Sequence, residues 1–179
     1  MDIGCATGEY CRKLTMLGYQ CVGIDINPLY IAKQKGKGIE VQVMDAESLK
    51  FSDNSFDTAL LFEVLEHANN PDAILKEAKR VSSKNILITV PNCSNFLKLK
   101  KMGLTYEHML EKDYINFFTK EDLENLLSKY FKKFNVEEKE PIYLLFFPWW
   151  LRKPISLLHK LKIIKLTTYF RLYAVAEVE

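Results

Sequence analysis

The stretch DIGCATGE, residues 2–9, begins with the short strand-like pair Asp2-Ile3 and continues with a run of small residues. A helix-forming segment follows it. Small residues let the backbone come close to a ligand, and the helix that follows presents free N–H groups at its start. A dinucleotide-binding loop has the spacing GxGxxG, whereas Gly4 and Gly8 lie four positions apart with Ala6 between them. The stretch therefore predicts a ligand-binding turn between a strand and a helix, and it argues against a nicotinamide site.

Two further acids, Asp25 and Asp45, end the next two apolar segments of the chain. In open α/β sheets, ligands bind in the crevice beyond the carboxyl ends of the strands. There Asp25 can accept from both hydroxyls of a ribose, and Asp45 can accept from an adenine amino group while Ile26 packs against the ring. With Asp2, three acids end three successive strands, which favours a binding site over three unrelated surface residues.

The apolar pattern alternates between strand and helix periodicity over the first two-thirds of the chain. It predicts strands over residues 20–25, 39–44, 55–62, 85–90, 134–138 and 171–177, and helices over 9–17, 28–34, 71–81 and 120–130. Thr119 and Asp122 resemble a capping box at the start of the last helix. This order predicts one domain, residues 1–179, with a Rossmann-like α/β fold: a mostly parallel sheet with helices on both faces.

The composition is that of an ordinary globular protein, with 48% hydrophobic residues and a formal net charge of +2 among 179 residues. So small a charge does not indicate a nucleic-acid partner. The cysteines lack CxxC spacing and are interpreted as reduced thiols. Met1-Asp2 runs directly into the glycine turn without a signal peptide, so we expect a cytoplasmic protein.

Residues 141–166 break the alternation of strands and helices. An aromatic cluster that includes Trp149 and Trp150 is followed by basic residues, and no acid occurs between Glu140 and Glu177. The apolar part is only half of the roughly 20 residues needed to span a bilayer. Two interpretations stay open: an insert that packs on the sheet and covers the site, and a peripheral segment at the inner face of a membrane.

The motifs DIGCATG, VGIDINP and VMDAESLKFSDNSFDTALLFEVLEHANNP, in this order, resemble those of the class I S-adenosylmethionine-dependent methyltransferases. Within that family they are most similar to the branch of ubiquinone/menaquinone-biosynthesis enzymes and many sugar and natural-product enzymes. The resemblance runs from residue 2 to about residue 134, and residues 171–177 are similar to the family's last strand. It implies a seven-stranded sheet and S-adenosylmethionine as the cofactor. A strand and a helix precede the glycine motif in the family, and we expect both to be nearly missing here.

The resemblance also implies where the donor binds. The glycine turn would lie beside the methionine moiety, Asp25 would hold the ribose and Asp45 the adenine, and Phe62 and Glu63 would line the pocket. The full set of implied donor contacts is Asp2, Gly4, Cys5, Ala6, Gly8, Asp25, Ile26, Asp45, Ala46, Phe62 and Glu63.

Methyl transfer is an in-line displacement, so the protein mainly has to hold the two partners close together and in line. Transfer to a hydroxyl can also use a general base for the hydroxyl proton. His67 is the first candidate because it follows the strand that would line the donor pocket. Glu66 is its neighbour, and His108 could enter from the segment after the fifth strand.

Glu63, Glu66 and His67 also fit the pattern ExxEH, which is similar to a metal-binding signature of small-RNA 2′-O-methyltransferases. Those enzymes need a further histidine close to an aromatic-Thr pair, and none precedes Phe118-Thr119 at that distance. We therefore predict a site without a metal.

Together these features predict methyl transfer to a small-molecule or lipid-linked acceptor, with oxygen as the favoured methylated atom. Two alternatives stay open: a catalytically inactive donor-binding subunit and, in third place, an RNA 2′-O-methyltransferase. The basic residues cluster in one apolar segment and do not form a broad polar face, so a nucleic-acid substrate is not expected.

Overall fold

The computed structural model describes residues 1–34, 36–94, 113–141, 148–164 and 168–179. Within them, the strands are β1 Asp2–Ile3, β2 Val22–Asp25, β3 Glu40–Val43, β4 Phe56–Phe62, β5 Ser82–Pro91, β6 Phe134–Pro141 and β7 Tyr169–Glu177. The helices are α1 Glu9–Met16, α2 Pro28–Ala32, α3 Pro71–Val81, α4 Lys120–Ser128 and α5 Trp149–Lys160, and a 3₁₀ turn spans Leu65–His67.

The described strands form one seven-stranded sheet in the order β3-β2-β1-β4-β5-β7-β6. Strands β1 to β5 are parallel, and β7 runs antiparallel between β5 and β6. The mostly parallel Rossmann-like sheet predicted from the sequence is confirmed. The strand order reverses between β1 and β4, which is where doubly wound sheets bind their ligands.

Two apolar clusters lie on opposite faces of the sheet. Neighbouring residues of a strand point to opposite faces, and in β2 Ile24 belongs to the larger cluster, which is shared with α3 and α4. Gly23 faces the other side, where a Cβ atom would lie 2.8 Å from the sulfur atoms of both Cys5 and Cys11. Those two cysteines form the smaller cluster with Ile31 of α2 and Cys21. Helices thus cover both faces, as predicted.

Most boundaries agree with the sequence pattern within a few residues, and the capping box at Thr119 and Asp122 is confirmed. Strand β1 is present for two residues, and it pairs with β2 on one side and β4 on the other. The predicted strand at 85–90 is longer in the structure, because β5 begins at Ser82, which pairs with Phe56 of β4. The pattern did not predict α5, since Pro154 lies inside this helix and proline removes a backbone donor there.

The loop between β3 and β4 is held against α3 by one arginine. The Arg80 guanidinium donates to the carbonyls of Leu49 (2.9 Å) and Phe51 (2.7 Å), and it also donates to the carboxylates of Glu77 and Asp53. Glu77 in turn accepts the N–H of Leu49 at 2.8 Å. Because Asp45 lies in this loop, the arginine holds the chain close to one of the predicted site residues.

Arg80→Lys keeps the charge but loses the planar fork that donates to several acceptors at once. We expect the free energy of unfolding to fall by about 1–3 kcal/mol, because loop carbonyls lose their donors. Urea unfolding followed by circular dichroism measures the change. Lys76→Ala, at an exposed position of the same helix, is the control and should change stability by less than about 0.5 kcal/mol. An Arg80→Lys protein as stable as the wild type would contradict this role.

Candidate active site

The turn after β1 has a backbone that requires small residues. Gly4, Ala6 and Gly8 all have left-handed φ angles, of 72°, 42° and 63°. A Cβ atom at Gly4 would lie 2.6 Å from Val64 Cγ2, and one at Gly8 would lie 2.6 Å from Ile39 Cδ1. Both glycines are therefore needed for backbone conformation and for close packing. The close contacts shown here are with protein side chains, and the close approach to a ligand that the sequence suggests stays a prediction.

Asp25 holds this turn from the end of β2. Its Oδ2 accepts the N–H of Ala6 at 2.8 Å, and its Oδ1 accepts the N–H of Asn27 at 2.8 Å. Each carboxylate oxygen has a second lone pair, so Asp25 can also accept from ligand hydroxyls. The side chain is only partly buried, and the observed geometry fits a carboxylate that binds a ribose.

The neighbouring edge combines an acid with an open apolar surface. The N–H of Met44 donates to the carbonyl of Asp25 at 3.1 Å, which brings the ends of β2 and β3 together. Asp45 is exposed, and its Oδ1 accepts the N–H of Glu47 at 2.9 Å. Ile26 is 69% exposed, and Ala46 is partly buried. An apolar surface beside a carboxylate fits a purine ring that has an exocyclic amino group.

Two of the predicted donor contacts have their side chains inside the protein. Asp2 is 2% exposed and accepts from the Cys11 thiol at 3.6 Å, and Cys5 is also buried. Burial raises the pKa of Asp2 from 3.8 to about 6 and that of Cys5 from 9.0 to about 12. Direct donor contacts from these two side chains stay a prediction.

The end of β4 is linked to β5 and β7 through Glu63, which has a φ of 55°. Its Oε1 accepts from the Thr89 hydroxyl at 2.9 Å, and its Oε2 lies 3.2 Å from Arg171 Nε. The ring of Phe62 contacts that of Tyr10 edge to face at 4.9 Å. Thr89, Arg171 and Tyr10 were not predicted. Of these three, Thr89 could have been predicted from the sequence, because it is the one hydroxyl residue in the apolar run NILITV.

Arg171 also connects this corner to the end of β6. Its Nη1 donates to Oε2 of Glu140 at 2.7 Å, and Tyr173 donates to Oε1 of the same carboxylate at 2.6 Å. Glu140 has a left-handed φ of 61°. One guanidinium therefore fixes two glutamates, Glu63 and Glu140, that both have unusual backbone conformations.

The 3₁₀ turn is held by the segment that precedes α4. The carbonyl of Glu66 accepts the N–H groups of Ile115 at 2.7 Å and Asn116 at 2.9 Å. The Asn116 amide donates to the carbonyls of Leu65 at 2.9 Å and Ala68 at 2.6 Å. Four hydrogen bonds thus fix the backbone that carries His67.

His67 follows this clamped turn and is partly exposed. Its Nδ1 lies 3.2 Å from Oδ2 of Asp113 and 3.3 Å from the Asp113 carbonyl. Its ring meets that of Tyr114 edge to face at 4.9 Å. With Nδ1–H donating to Asp113, the lone pair is on Nε2, so the ring is oriented as a base. Asp113 was not predicted, because it is distant from His67 in sequence.

Glu66 is fully buried, and neither of its carboxyl oxygens has a hydrogen-bond partner in the described part of the chain. Burial, followed by the charge of Glu63, raises the pKa of Glu66 from 4.5 to about 8. Glu63 precedes the 3₁₀ turn, so the two glutamates do not share a helix. Among the described residues, no group of three His, Cys, Asp or Glu side chains could hold a metal ion. His108, the third candidate catalytic residue, lies outside the described residues.

The sequence matches two known protein families. Residues 1–88 match a family described as "Methyltransferase domain". Residues 83–170 match one described as "Protein of unknown function (DUF1493)".

Two relatives illustrate the sequence similarity. The chain is 31% identical over 150 residues to an uncharacterized protein of Methanocaldococcus jannaschii, covering 80% of this chain and 68% of that one. It is 32% identical over 104 residues to a ubiquinone biosynthesis O-methyltransferase of Pelagibacter ubique, covering 55% of this chain and 43% of that one. The chain therefore spans less than half the length of that enzyme.

Solved structures share the fold. A SAM-dependent methyltransferase from Archaeoglobus fulgidus superimposes with a TM-score of 0.72 at 20% identity, covering 98% of this chain and 84% of that one. Magnesium protoporphyrin IX methyltransferase from Synechocystis, solved with bound SAH, gives a TM-score of 0.63 at 15% identity, covering 99% of this chain and 73% of that one.

Asp25→Asn tests the site at its best-connected residue. We expect S-adenosylmethionine to bind about tenfold to a hundredfold more weakly, because hydrogen bonds to a charged group are worth about 1.5–3 kcal/mol. Isothermal titration calorimetry measures the affinity. Asp57→Asn, an exposed carboxylate paired with Lys84, makes the same chemical change elsewhere and should leave affinity unchanged. Equal affinities for both variants would contradict the assignment.

The buried acids predict a characteristic dependence of stability on pH. The pKa of Glu66 is raised from 4.5 to about 8 in the folded state. The neutral Glu66 carboxyl therefore contributes fully to the free energy of unfolding below pH 4.5, and this contribution is lost as pH rises through 8. The advantage of Glu66→Gln over the wild type, measured by denaturant unfolding, should therefore grow across this window and then stay constant.

Asp2→Asn provides the comparison for this experiment. Its advantage should grow only between pH 3.8 and about 6, the two pKa values of the Asp2 carboxyl. A pH-independent difference between Glu66→Gln and the wild type would show that Glu66 is not a buried neutral acid.

Proposed function

Since the chain belongs to the class I S-adenosylmethionine-dependent methyltransferases, we propose that it methylates a hydroxyl group of a small-molecule or lipid-linked acceptor. The cofactor is S-adenosylmethionine, which when bound supplies a methyl group on a positively charged sulfur atom that leaves as a neutral thioether. The acceptor, the methylated atom and the residue roles below are parts of the proposal.

One observation carries it: the donor loop and the turn with His67 lie side by side at one edge of the sheet. Strands β1 and β4 are parallel neighbours with Ile3 opposite Leu61, so both connections leave the sheet at the same level. Gly4 packs so closely on Val64 that a Cβ atom would lie 2.6 Å from its methyl group. A donor in the loop and an acceptor at the turn would therefore be neighbours.

The chain's first role is to hold the donor. Asp25 accepts from the ribose hydroxyls with the lone pairs that Ala6 and Asn27 leave free. Asp45 accepts from the adenine amino group, and Ile26 covers one face of the ring. In this proposal the fixed loop backbone between Gly4 and Gly8 lies beside the methionine end of the donor.

Its second role is to accept the acceptor's proton. As the bond from carbon to the acceptor oxygen forms and the carbon–sulfur bond breaks, the hydroxyl proton passes to Nε2 of His67. The Asp113 carboxylate, 3.2 Å from Nδ1, stabilises the positive charge that then develops on the ring. Glu66 acts as a positioning residue, since its backbone carbonyl holds the segment that carries Asp113.

A base at this position favours oxygen over nitrogen as the methylated atom. A neutral amine already offers a lone pair, whereas a hydroxyl becomes a good nucleophile only as it loses its proton. The relative from Pelagibacter ubique is an O-methyltransferase of ubiquinone biosynthesis, and this supports a quinone-like acceptor. A relative from Rauvolfia serpentina, 30% identical over 99 residues, is a norajmaline N-methyltransferase and supports a small-molecule acceptor.

His67→Gln tests the proposed base. With methyl-labelled S-adenosylmethionine and a screen of quinone-like and lipid-linked hydroxyl compounds, we expect label transfer to fall about a hundredfold to ten-thousandfold. Donor affinity should stay unchanged, because His67 contacts the acceptor side. Asp113→Asn should give a smaller loss of the same kind, since it disturbs only the orientation of the ring.

His159→Gln is the matched control, because this histidine lies in α5 beside Tyr169, and it should not affect transfer to a soluble acceptor. If His67→Gln transferred the methyl group as fast as the wild type, His67 would not be the base, and the argument for oxygen as the methylated atom would fail. A folded wild type that binds the donor and methylates nothing in the screen would instead favour the inactive donor-binding subunit.

A further inference from the structure

Helix α5 differs from the other helices in how little of it the protein covers. All of α5 lies within the described residues, and none of its side chains is buried. Its contacts include those of His159, whose Nδ1 lies 3.2 Å from the carbonyl of Ile164 and whose Nε2 lies 3.3 Å from the Tyr169 hydroxyl. A helix with six hydrophobic residues in WWLRKPISLLHK and no buried side chain has a surface that a partner can cover.

Three of the exposed apolar residues lie along one edge of the helix and its C-terminal end. Trp150, Leu157 and Leu161 are spaced seven and four residues apart, so they follow each other along one side. They are 60%, 57% and 59% exposed. Lys153 and Lys160, also seven residues apart, lie beside this edge and are exposed. The helix therefore has an apolar edge with a cationic border, which we call the α5 edge.

The charge of this region has one sign. Between Glu140 and Glu177 the chain contains basic residues and no acid. No helix in the described ranges is long and apolar enough to cross a membrane, and α5, with 12 residues, falls well short of the roughly 20 that a span requires. An amphipathic cationic helix of this kind matches an anionic surface with an apolar layer beneath it.

We propose that the α5 edge binds the surface of an anionic phospholipid bilayer. Trp150, Leu157 and Leu161 enter the boundary between headgroups and acyl chains, and Lys153 and Lys160 lie against lipid phosphates. Tryptophan is well suited to this depth because its ring is apolar and its N–H is polar. Each lysine near such a surface adds an attraction that salt weakens.

The position of α5 connects this surface to the site. The helix lies between the end of β6 at Pro141 and the start of β7 at Tyr169, and these two residues pair with each other. Arg171 follows in β7 opposite Pro91 at the end of β5, and it contacts Glu63. A bilayer at α5 would thus lie on the side of the molecule where β4 and β5 end. That a lipid-linked acceptor reaches the site from this bilayer rests on the proposed function.

The chain contains its own reporter for the test. Its two tryptophans, Trp149 and Trp150, are the first two residues of α5. The full chain is titrated with vesicles of phosphatidylcholine alone and of phosphatidylcholine mixed with phosphatidylglycerol. We expect a blue shift of tryptophan emission and protection from acrylamide quenching only with the anionic vesicles, and both should weaken as salt is raised.

Two double variants separate charge from apolar contact. Lys153→Gln with Lys160→Gln should weaken vesicle binding on the order of tenfold or more. Leu157→Ser with Leu161→Ser should suppress the blue shift, and both tryptophans remain as reporters. Lys84→Gln with Lys132→Gln changes the net charge equally at exposed lysines outside α5, and it should bind vesicles as the wild type does.

Three outcomes would overturn the proposal: no emission change with anionic vesicles, an equal response to both kinds of vesicle, or equal weakening by the two lysine variants. An emission change with single-stranded RNA but not with vesicles would assign the α5 edge to nucleic acid instead. Donor affinity, measured by calorimetry on the same preparations, distinguishes these failures from failure of the proposed methyl transfer.

Discussion

The active-site half of the molecule depends on the pairing of two residues, Asp2 and Ile3, at the centre of the sheet. They pair with β2 on one side and β4 on the other, and Ile3 is fully buried. Because β1 ends at Ile3, the chain turns at Gly4 directly from this pairing. Asp25 then holds the turn by accepting the N–H of Ala6. The loop's position is thus set by backbone pairing on both sides and by one carboxylate from the next strand.

Local interactions are what the sequence predicted well. The alternation of strands and helices, the capping box and the acids that end β2 and β3 all depend on residues close together in the chain. The partners of those residues were harder to find: Arg171 reaches Glu63, and Asp113 reaches His67, across more than forty positions of sequence. The first pair forms only when β7 lies between β5 and β6, and the second only when the segment before α4 packs on the 3₁₀ turn. Neither arrangement can be predicted from a local sequence pattern.

The two glutamates that follow β4, Glu63 and Glu66, lie in different surroundings. Glu63 is close to a guanidinium and a hydroxyl, whereas Glu66 is buried without a partner among the described residues, and burial raises its pKa. The nearby charge of Glu63 raises the pKa of Glu66 further. The two glutamates therefore lie in different surroundings: Glu63 contacts the Arg171 guanidinium, whereas the carboxyl of Glu66 lies in the protein interior. The motif FEVLEH alone shows two equivalent acids.

The two halves of the chain contribute different groups to the candidate site. The match to the methyltransferase domain covers residues 1–88, which include the glycine turn, Asp25, Asp45 and His67. The groups that surround His67 and Glu63 come mostly from later in the chain, among them Thr89, Asp113 and Arg171. A donor that many enzymes share can be bound by the same set of residues, whereas acceptors that differ between enzymes require different lining residues. The α5 edge belongs to this second half, and β7 joins it to Arg171. The segment proposed to bind a membrane is therefore followed in the chain by the strand that carries Arg171, the residue that contacts Glu63.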